Sequence, residues 1–243
     1  MSLQKPKILL AIPAYNEEET LEKVIKSIPE KNKYEIWVFN DCSTDNTAKT
    51  AINSGAKVWT SNKKIGLAKI YNVILEKAFI DNFDFLATID ADGQYLSEEI
   101  AIILENAQES GADLTIGDRQ IRKLDFMKPG KKYGNILGSF FLKIILGLKG
   151  KIDASSGFRV MNKKAIKVLA KSKILSEKTY THESLIIAKF NRLNINFTPI
   201  TFLERKGSGE SRLIKSVLKH ILLCLYAILK QWLMFELGFR EKA

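Results

Sequence analysis

Two aspartates that follow one apolar run are the residues of this sequence best suited to chemistry. Asp90 and Asp92 come directly after residues 85–89, with one alanine between them. Carboxylates so close together at the end of a strand can converge on one hard cation. Mg²⁺ and Mn²⁺ prefer oxygen ligands, commonly one or two carboxylates completed by the phosphates of a substrate. A cation held there would neutralise a departing diphosphate, whereas the alternative is an aspartate-rich turn completed by Gly93.

A third carboxylate, Asp41, stands just past an earlier apolar run, residues 34–39. A carboxylate in this position can accept a hydrogen bond from a base imide or a ribose hydroxyl. The alternative is turn and capping chemistry, because Ser43, Thr44 and Asp45 are all good N-cap residues. We assign capping to Asp45 and ligand binding to Asp41.

The elements that must position these carboxylates follow from the hydrophobic pattern. Short apolar runs alternate with amphipathic stretches over the first 120 residues. The pattern predicts strands at 7–13, 34–39, 56–60, 83–89 and 113–117, and helices at 17–28, 45–53, 66–80 and 97–108. Such alternation indicates an α/β fold with a mostly parallel sheet flanked by helices. Ligands bind at the carboxyl ends of the strands in these sheets, so the three aspartates should lie together.

The rhythm changes in the second half of the chain. We predict a basic loop at 128–132, a polar loop at 204–211, helices at 133–148, 163–170 and 182–191, and strands at 156–161 and 195–203. A long helix closes the chain from residue 212 to about residue 237. We therefore divide the chain into a catalytic domain, 1–211, and a C-terminal amphipathic helix, 212–243.

Composition narrows the class of protein and its partners. A hydrophobic fraction of 46% in 243 residues is enough for a sizeable core. Two cysteines and two histidines argue against a disulfide scaffold and a Cys- or His-based zinc centre, and they fit a reducing compartment. The opening residues do not resemble a secretory signal, so we expect a cytoplasmic protein. A net charge of +11 indicates an anionic partner: nucleic acid, a membrane surface or a phosphorylated substrate.

Several motifs, in this order and spacing, resemble family 2 glycosyltransferases of the GT-A fold. They are residues 12–18 (IPAYNEE), 40–45 (NDCSTD), 90–94 (DADGQ), 117–119 (GDR) and 156–159 (SGFR). Residues 209–212 (GESR) further resemble the branch that acts on polyprenyl phosphates, which includes the dolichyl-phosphate mannose synthases. The resemblance covers nearly the whole chain up to the last helix.

The resemblance implies a role for each matching residue. Pro13, Ala14 and Glu17 would line the nucleotide pocket, Asp41 would contact the base or ribose, Asp90 and Asp92 would address Mg²⁺ or Mn²⁺ and the diphosphate, Gln94 would lie near the donor sugar, and Arg119 and Arg212 would reach phosphate groups. The chain departs from the family pattern at Asn40, where an aspartate is usual, and at Ile65, where a lysine is common.

The need for a general base depends on the acceptor. A hydroxyl acceptor must lose a proton as it attacks, whereas a lipid phosphate, with a second pKa of about 6, arrives already anionic. Cationic side chains suit a lipid phosphate, and the chain from Arg119 onward supplies several, Arg205 among them. Of these we expect Arg119, Lys132 and Arg159 to contribute most to binding the phosphate. Asp153 matches an acidic position of the family and is the base candidate. A single displacement predicts inversion at the sugar carbon.

Two apolar stripes predict contact with a membrane surface. No stretch reaches the roughly 18 uninterrupted apolar residues that span a bilayer. The C-terminal stripe is Ile214, Val217, Leu218, Ile221, Leu225, Ile228, Trp232 and Phe235, with Lys215, Lys219, His220, Lys230 and Gln231 on the other side. Phe140, Phe141, Ile144, Ile145 and Leu148 suggest a second such helix, flanked by Lys143, Lys149 and Lys151. A basic amphipathic helix suits an anionic membrane, although core packing or a homodimer interface would also use such a stripe.

These observations together predict an inverting glycosyltransferase that moves a sugar from a UDP- or GDP-sugar to a polyprenyl phosphate at the cytoplasmic face of a membrane. One alternative is transfer to a saccharide or other hydroxyl. A second alternative is a non-catalytic basic protein that binds nucleic acid or membrane. We expect no nucleic acid partner, because the basic residues are not interleaved with stacking aromatics.

Overall fold

The computed structural model describes residues 5–172, 174, 177, 179–205 and 217–236. Its strands are β1 (Ile8–Ala14), β2 (Tyr34–Asn40), β3 (Lys57–Thr60), β4 (Phe85–Thr88), β5 (Leu114–Asp118), β6 (Arg159–Asn162) and β7 (Ile195–Pro199). Its helices are α1 (Leu21–Lys26), α2 (Thr47–Asn53), α3 (Leu67–Ile80), α4 (Ile100–Ser110), α5 (Pro129–Ile145), α6 (Lys163–Lys171), α7 (Tyr180–Phe190) and α8 (Val217–Glu236).

The strands form one sheet in the order β3-β2-β1-β4-β6-β5-β7. β6 runs antiparallel to both of its neighbours, β4 and β5, and the other pairs are parallel. The predicted α/β fold with a mostly parallel sheet is thereby confirmed. Because β1 and β4 are adjacent and parallel, the loops that follow them open at the same edge of the sheet.

Helices cover both faces of the sheet, and the central strand shows why its sequence is apolar throughout. Leu9 packs into the hydrophobic cluster that includes α3, α6 and α7, and Leu10 into the cluster that includes α1 and α4. Both side chains are fully buried. A parallel strand covered on both faces is apolar at consecutive positions, and successive side chains point to opposite faces.

The start of α5 and the end of β7 are among the element boundaries that differ from the predictions. α5 begins at Pro129, inside the segment predicted as a basic loop. Proline is well suited to the first turn of a helix because that turn's N–H groups have no partner in the helix. β7 ends at Pro199 rather than at residue 203, and the chain then leaves the sheet to make an isolated bridge between Tyr95 and Phe202.

α8 packs against α5 and α7, and its orientation corrects the predicted polar face. Gln231 is fully buried and donates a hydrogen bond to the carboxylate of Glu183 in α7, while Lys230 Nζ lies 3.7 Å from the same carboxylate. Both residues were expected to face away from the apolar stripe into solvent. Glu183 is fully buried, and a buried carboxylate needs polar partners, which explains why this side of α8 faces inward.

The opposite side of α8 is exposed and apolar. Its exposed large side chains are Leu222, Leu225, Tyr226, Leu229, Trp232 and Leu233, and those of the adjacent α5 are Tyr133, Leu137, Phe140, Phe141, Ile144 and Ile145. We call these twelve side chains the α5–α8 apolar face. Among the residues that the structure describes, no helix combines the length and apolar character needed to cross a membrane.

Candidate active site

Asp90 lies at the end of β4, where a neighbouring loop packs tightly against its carboxylate. A Cβ on Gly157 would lie 3.0 Å from Asp90 Oδ1, so the close approach requires glycine there. The loop is fixed in place because Gly157 N donates to Tyr95 Oη at 3.0 Å and Thr88 Oγ1 donates to Gly157 O at 2.8 Å. Burial, together with the charge of Asp92, raises the pKa of Asp90 to about 7.

Asp92 shares its side of the site with Glu17 and Arg205. Arg205 Nη2 lies 2.7 Å from Glu17 Oε1, and Arg205 Nη1 lies 3.7 Å from Asp92 Oδ2. Burial raises the pKa of Glu17, and the charge of Asp92 adds to this effect while Arg205 opposes it. The loop after β1, the loop after β4 and the segment after β7 therefore meet here, as the strand-end rule predicts for Glu17 and Asp92.

The carboxylates fit a cation that arrives with a diphosphate. Within the described part of the chain, no cluster of three or more His, Cys, Asp or Glu side chains is arranged to hold a metal ion. Burial, and next the repulsion from Asp92, raise the pKa of Asp90 to about 7, so that its carboxyl is partly protonated near neutral pH. A cation would relieve this repulsion, and Mg²⁺ commonly uses one or two carboxylates and takes its other ligands from phosphates and water.

Asp41 is buried and its carboxylate holds the loop that leads into α3. Ile65 N donates to Oδ1 at 2.7 Å and Gly66 N donates to Oδ2 at 2.9 Å. The structure thus gives Asp41 a positioning role in this loop, and its predicted contact with a base or ribose stays a prediction. Near the same edge, Lys64 Nζ lies 3.5 Å from the centre of the Tyr15 ring, a cation–π contact.

The other residues expected in the donor pocket lie at this edge of the sheet. Pro13 and Ala14 end β1, and Ala14 O accepts a hydrogen bond from Asp41 N at 2.9 Å. Gln94 follows Asp92, and its Nε2 donates to Leu203 O at 3.0 Å. Its side chain thereby fastens the segment that carries Arg205. The contacts of Pro13, Ala14 and Gln94 with a donor stay predictions.

Arg119 and Asp153 form a buried ion pair that corrects the expected general base. Arg119 Nε and Nη2 donate to the two oxygens of Asp153 at 2.7 and 2.8 Å. Asp153 is 1% exposed and also accepts from the backbone N of Arg119 and of Ser155. Both carboxylate oxygens of Asp153 are thereby taken by donors within the protein, so neither is directed at an acceptor hydroxyl. Asp153 instead orients Arg119.

Arg159 is the second correction, because its side chain is fully buried and its guanidinium donates to groups of the protein. Nε donates to Ser156 O at 2.8 Å, Nη1 to Ser184 Oγ at 2.5 Å and Nη2 to Ala154 O at 3.0 Å. The guanidinium thus ties the 154–156 loop to α7. Its effect on the site is indirect, through the loop that contacts Asp90.

Of the two lysines at the start of α5, Lys132 was the one expected to bind a phosphate. Lys132 Nζ donates to Leu124 O at 2.8 Å, which holds this side chain against the preceding loop. Burial lowers the pKa of Lys131, the charges of Arg119 and Arg205 lower it further, and the charge of Asp92 raises it, so this lysine lies within electrostatic reach of the site. Lys131 is therefore the site lysine that the sequence did not single out. Arg212, also expected to reach a phosphate, lies outside the described residues.

Comparison with known proteins decides the family. The model of glycosyl transferase family 2 matches residues 10–169 of the chain. The chain belongs to glycosyltransferase family 2. The predicted family is thus confirmed, and the non-catalytic binding protein considered as an alternative is not supported.

Relatives of this glycosyltransferase include enzymes of the polyprenyl-phosphate branch. The UDP-N-acetylglucosamine–dolichyl-phosphate N-acetylglucosaminyltransferase of Methanococcus voltae is 34% identical over 214 residues, covering 79% of this chain and 84% of that protein. The undecaprenyl-phosphate mannosyltransferase of Micrococcus luteus is 30% identical over 220 residues, covering 85% of this chain and 87% of that protein.

Solved structures confirm the GT-A fold of this glycosyltransferase. Glucosyl-3-phosphoglycerate synthase from Mycobacterium tuberculosis, in complex with Mn²⁺, UDP-glucose and phosphoglyceric acid, superposes with a TM-score of 0.65 at 20% identity. The match covers 94% of this chain and 79% of that chain. At this identity the likeness is one of fold.

Proposed function

We propose that this glycosyltransferase moves a sugar from a nucleotide diphosphate sugar to a polyprenyl phosphate at the cytoplasmic face of a membrane, with inversion at the sugar carbon. The observation that carries the proposal is the pairing of Arg119 with Asp153. The carboxylate best matched to a general base holds both of its oxygens on the Arg119 guanidinium, so it is not directed at an acceptor hydroxyl. An acceptor that is already anionic needs no base, and it needs the positive charge.

The donor end of the reaction rests on the carboxylates. Asp90 and Asp92 would hold Mg²⁺ or Mn²⁺, which supplies neutralisation of the diphosphate leaving group. Pro13, Ala14, Glu17 and Asp41 border the place of the nucleotide. UDP-sugars are the first donors to test, because the Methanococcus voltae relative is named for UDP-N-acetylglucosamine.

The acceptor end rests on cations held in fixed positions. The Nε–Nη2 edge of Arg119 is taken by Asp153, so Nη1 is the edge that can turn to an incoming phosphate. Lys131 and Arg205 add positive charge beside Asp92. These groups bind the phosphate oxygens, align one of them with the sugar carbon and reduce its repulsion from the donor diphosphate.

The α5–α8 apolar face supports a location at the membrane surface. Lys131 stands in the first turn of α5, and exposed apolar side chains follow along the rest of that helix. A lipid acceptor lying in a bilayer would therefore reach the site along a surface that is itself apolar. Basic residues beside an apolar face favour anionic lipid.

A transfer assay tests the proposal. The enzyme is mixed with Mn²⁺, a labelled donor (UDP-N-acetylglucosamine, UDP-glucose or GDP-mannose) and either a polyprenyl phosphate or the matching polyprenol. We expect a lipid-linked product from one donor with the phosphate alone, and none with Asp92→Asn. Transfer to the polyprenol or to a free saccharide at the same rate would support the hydroxyl-acceptor alternative. Retention of configuration in the product would contradict the single displacement.

A further inference from the structure

A serine–histidine pair lies beside the site and takes no part in the transfer described above. Ser155 Oγ and His182 Nε2 are 3.2 Å apart, and Thr181 Oγ1 is 3.3 Å from Nδ1 of the same ring. His182 is 2% exposed, whereas Ser155 is half-buried. Ser155 is therefore the accessible end of a chain of side chains that begins inside the protein.

Ser155 and His182 are each close in sequence to residues of the candidate active site. Ser155 stands on the loop between Asp153, which holds Arg119, and Gly157, which touches the Asp90 carboxylate. His182 is two residues after Tyr180, whose pKa is raised by burial and, next, by the charge of Asp90. The loop and the start of α7 thus approach Asp90 from two directions, with the serine–histidine pair joining them.

The hydrogen-bond roles within the pair set the direction of the Ser155 hydroxyl. A neutral imidazole donates from one nitrogen and accepts at the other. If Thr181 Oγ1 donates to Nδ1, then Nε2–H donates to Ser155 Oγ, and the Ser155 proton points away from the ring. In the opposite tautomer the Ser155 proton points to the ring and the oxygen offers lone pairs to its surroundings. An anion beside Ser155 accepts a hydrogen bond, so it favours the first tautomer, in which the Ser155 proton points away from the ring.

We propose that Ser155 donates a hydrogen bond to the phosphate of the acceptor, and that His182 is a positioning residue that directs this hydroxyl. The proposal rests on the proposed function, and it adds a neutral donor to the cations Arg119 and Lys131. Ser155 N and Arg119 Nη2 both donate to Asp153 Oδ1, at 3.2 and 2.8 Å, so the serine and the guanidinium lie close enough for one phosphate to reach both. A hydroxyl with a fixed direction also favours one orientation of the phosphate oxygens over others.

Steady-state kinetics with Ser155→Ala tests this. The polyprenyl phosphate is varied at saturating donor, and the affinity for UDP with Mn²⁺ is measured separately by calorimetry. Loss of one hydrogen bond to an anion should raise the acceptor KM about tenfold or more, with UDP affinity unchanged. Ser155→Thr keeps the hydroxyl and should retain most of the wild-type acceptor affinity.

The histidine is tested through its coupling to the serine. His182→Leu should raise the acceptor KM as Ser155→Ala does, and the double variant should be no worse than either single variant, because both remove the same contact. His182→Gln keeps an N–H donor and should recover part of the effect. Thermal unfolding of each variant shows whether it is folded. If His182→Leu does not fold, Ser155→Ala decides the proposal by itself, because Ser155 is only half-buried.

Three results would overturn the proposal, and they are distinguishable. A wild-type enzyme that transfers sugar to polyprenyl phosphate while Ser155→Ala leaves the acceptor KM unchanged overturns this inference alone. The same holds if Ser155→Ala weakens UDP binding instead, since the hydroxyl would then serve the donor. A wild-type enzyme that glycosylates no polyprenyl phosphate overturns the proposed function and this inference with it.

Discussion

The charges of the site are balanced between acids and bases that come from distant parts of the chain. Glu17, Asp90 and Asp92 supply negative charge from the loops after β1 and β4. Arg119 and Arg205 oppose them, and both lower the pKa of Asp90 against the effects of burial and of Asp92. The net result is a carboxyl that ionises near neutral pH, where a small change in local charge decides its state.

The raised pKa of Asp90 predicts a pH dependence of the metal-free protein. The folded pKa of about 7 lies above the value near 3.9 of an unfolded aspartate, so the native state binds more protons between these values. Stability therefore falls as pH rises through this window and levels off above about 7. Asp90→Asn should remove this loss. In urea titrations, the free energy of unfolding of the variant should therefore rise relative to that of the wild type between pH 5 and pH 7.5.

Asp113→Asn is the matched control for the Asp90 titration. Burial would raise the pKa of Asp113, but hydrogen bonds from Asn194, Asn162 and Lys164 outweigh it and lower the pKa. Its contribution to stability is fully present above the unfolded pKa and is lost only in more acidic solution. The difference between this variant and the wild type should be constant over the same pH range. A constant difference for Asp90→Asn as well would contradict the assigned shift.

A single methyl group tests the close approach of the loop to Asp90. Gly157→Ala would place a Cβ 3.0 Å from the Asp90 carboxylate, so either the loop or the carboxylate must move. We expect nucleotide binding in Mn²⁺ to weaken about threefold, because the carboxylate must shift by only a few tenths of an ångström, whereas a misplacement of about 1 Å costs a pre-organised site about a hundredfold. Gly130→Ala, which meets nothing within 4 Å, should leave binding unchanged. Equal nucleotide affinities of Gly157→Ala and Gly130→Ala would argue against a close approach of the Gly157 loop to the Asp90 carboxylate.

Residue types and strand ends were enough to predict that Glu17 and Asp92 lie together, but not which cations lie near them. Asp90 and Asp92 lie in the loop after β4, so their place is a matter of topology. Choosing Lys131 over Lys132 requires the phase of α5, and that phase depends on its start at Pro129. Proline at the first helical turn was the available signal. The burial of Arg159 depends on Ser184, 25 residues away, which no local pattern reveals.

At the level of elements, α8 has two sides with different tasks. The inner side places Ala227 and Gln231 against α5 and α7, and Lys230 and Gln231 supply the partners of the buried Glu183. The outer side contributes half of the α5–α8 apolar face. The inner side fixes the helix to the catalytic fold, so an attachment of the outer side to a membrane would also hold the site close to that membrane.

Substitutions on the two sides of α8 should separate stability from membrane binding. On the outer side, Leu229→Ser with Trp232→Ser should reduce sedimentation with anionic vesicles strongly and change the melting temperature little, because both residues are exposed. On the inner side, Gln231→Ala leaves a buried carboxylate short of a donor, and it should cost about 1–3 kcal/mol of stability.

The homodimer alternative predicts a different outcome for the same variants. If the α5–α8 apolar face joins two copies, the outer variants should convert a dimer to a monomer in analytical ultracentrifugation, with vesicle binding weak in the wild type as well. Vesicle binding by a monomeric wild type, falling as salt is raised, is what the membrane proposal requires.

The amphipathic pattern predicted that α8 has an apolar stripe, but not which side faces the protein. The spacing of apolar residues identifies the apolar side of a helix. It does not tell whether that side faces the protein core or a lipid surface, because both environments are apolar. The buried Glu183 settles the orientation, since its carboxylate needs Lys230 and Gln231. Sequence alone gives no sign that a glutamate in α7 is buried.

The molecule as a whole combines a common fold with an uncommon charge. Strand–helix alternation predicted the mostly parallel sheet, because such a sheet must be covered by helices on both faces. The antiparallel insertion of β6 between β4 and β5 was beyond that pattern, since it joins strands far apart in sequence. The net charge of +11 suits an enzyme whose proposed donor, acceptor and membrane surface are all anionic.

The central claim is that Asp90 and Asp92 bind a metal-bound nucleotide diphosphate, and thermal unfolding tests it most directly. The wild type and Asp92→Asn are melted with UDP, GDP or CDP, each with and without Mn²⁺. Ligand at a hundred times its dissociation constant stabilises the native state by about 2.7 kcal/mol. We predict a rise in Tm with one nucleotide that needs Mn²⁺ and is lost in Asp92→Asn. An equal rise without Mn²⁺, or in the variant, would contradict the assignment.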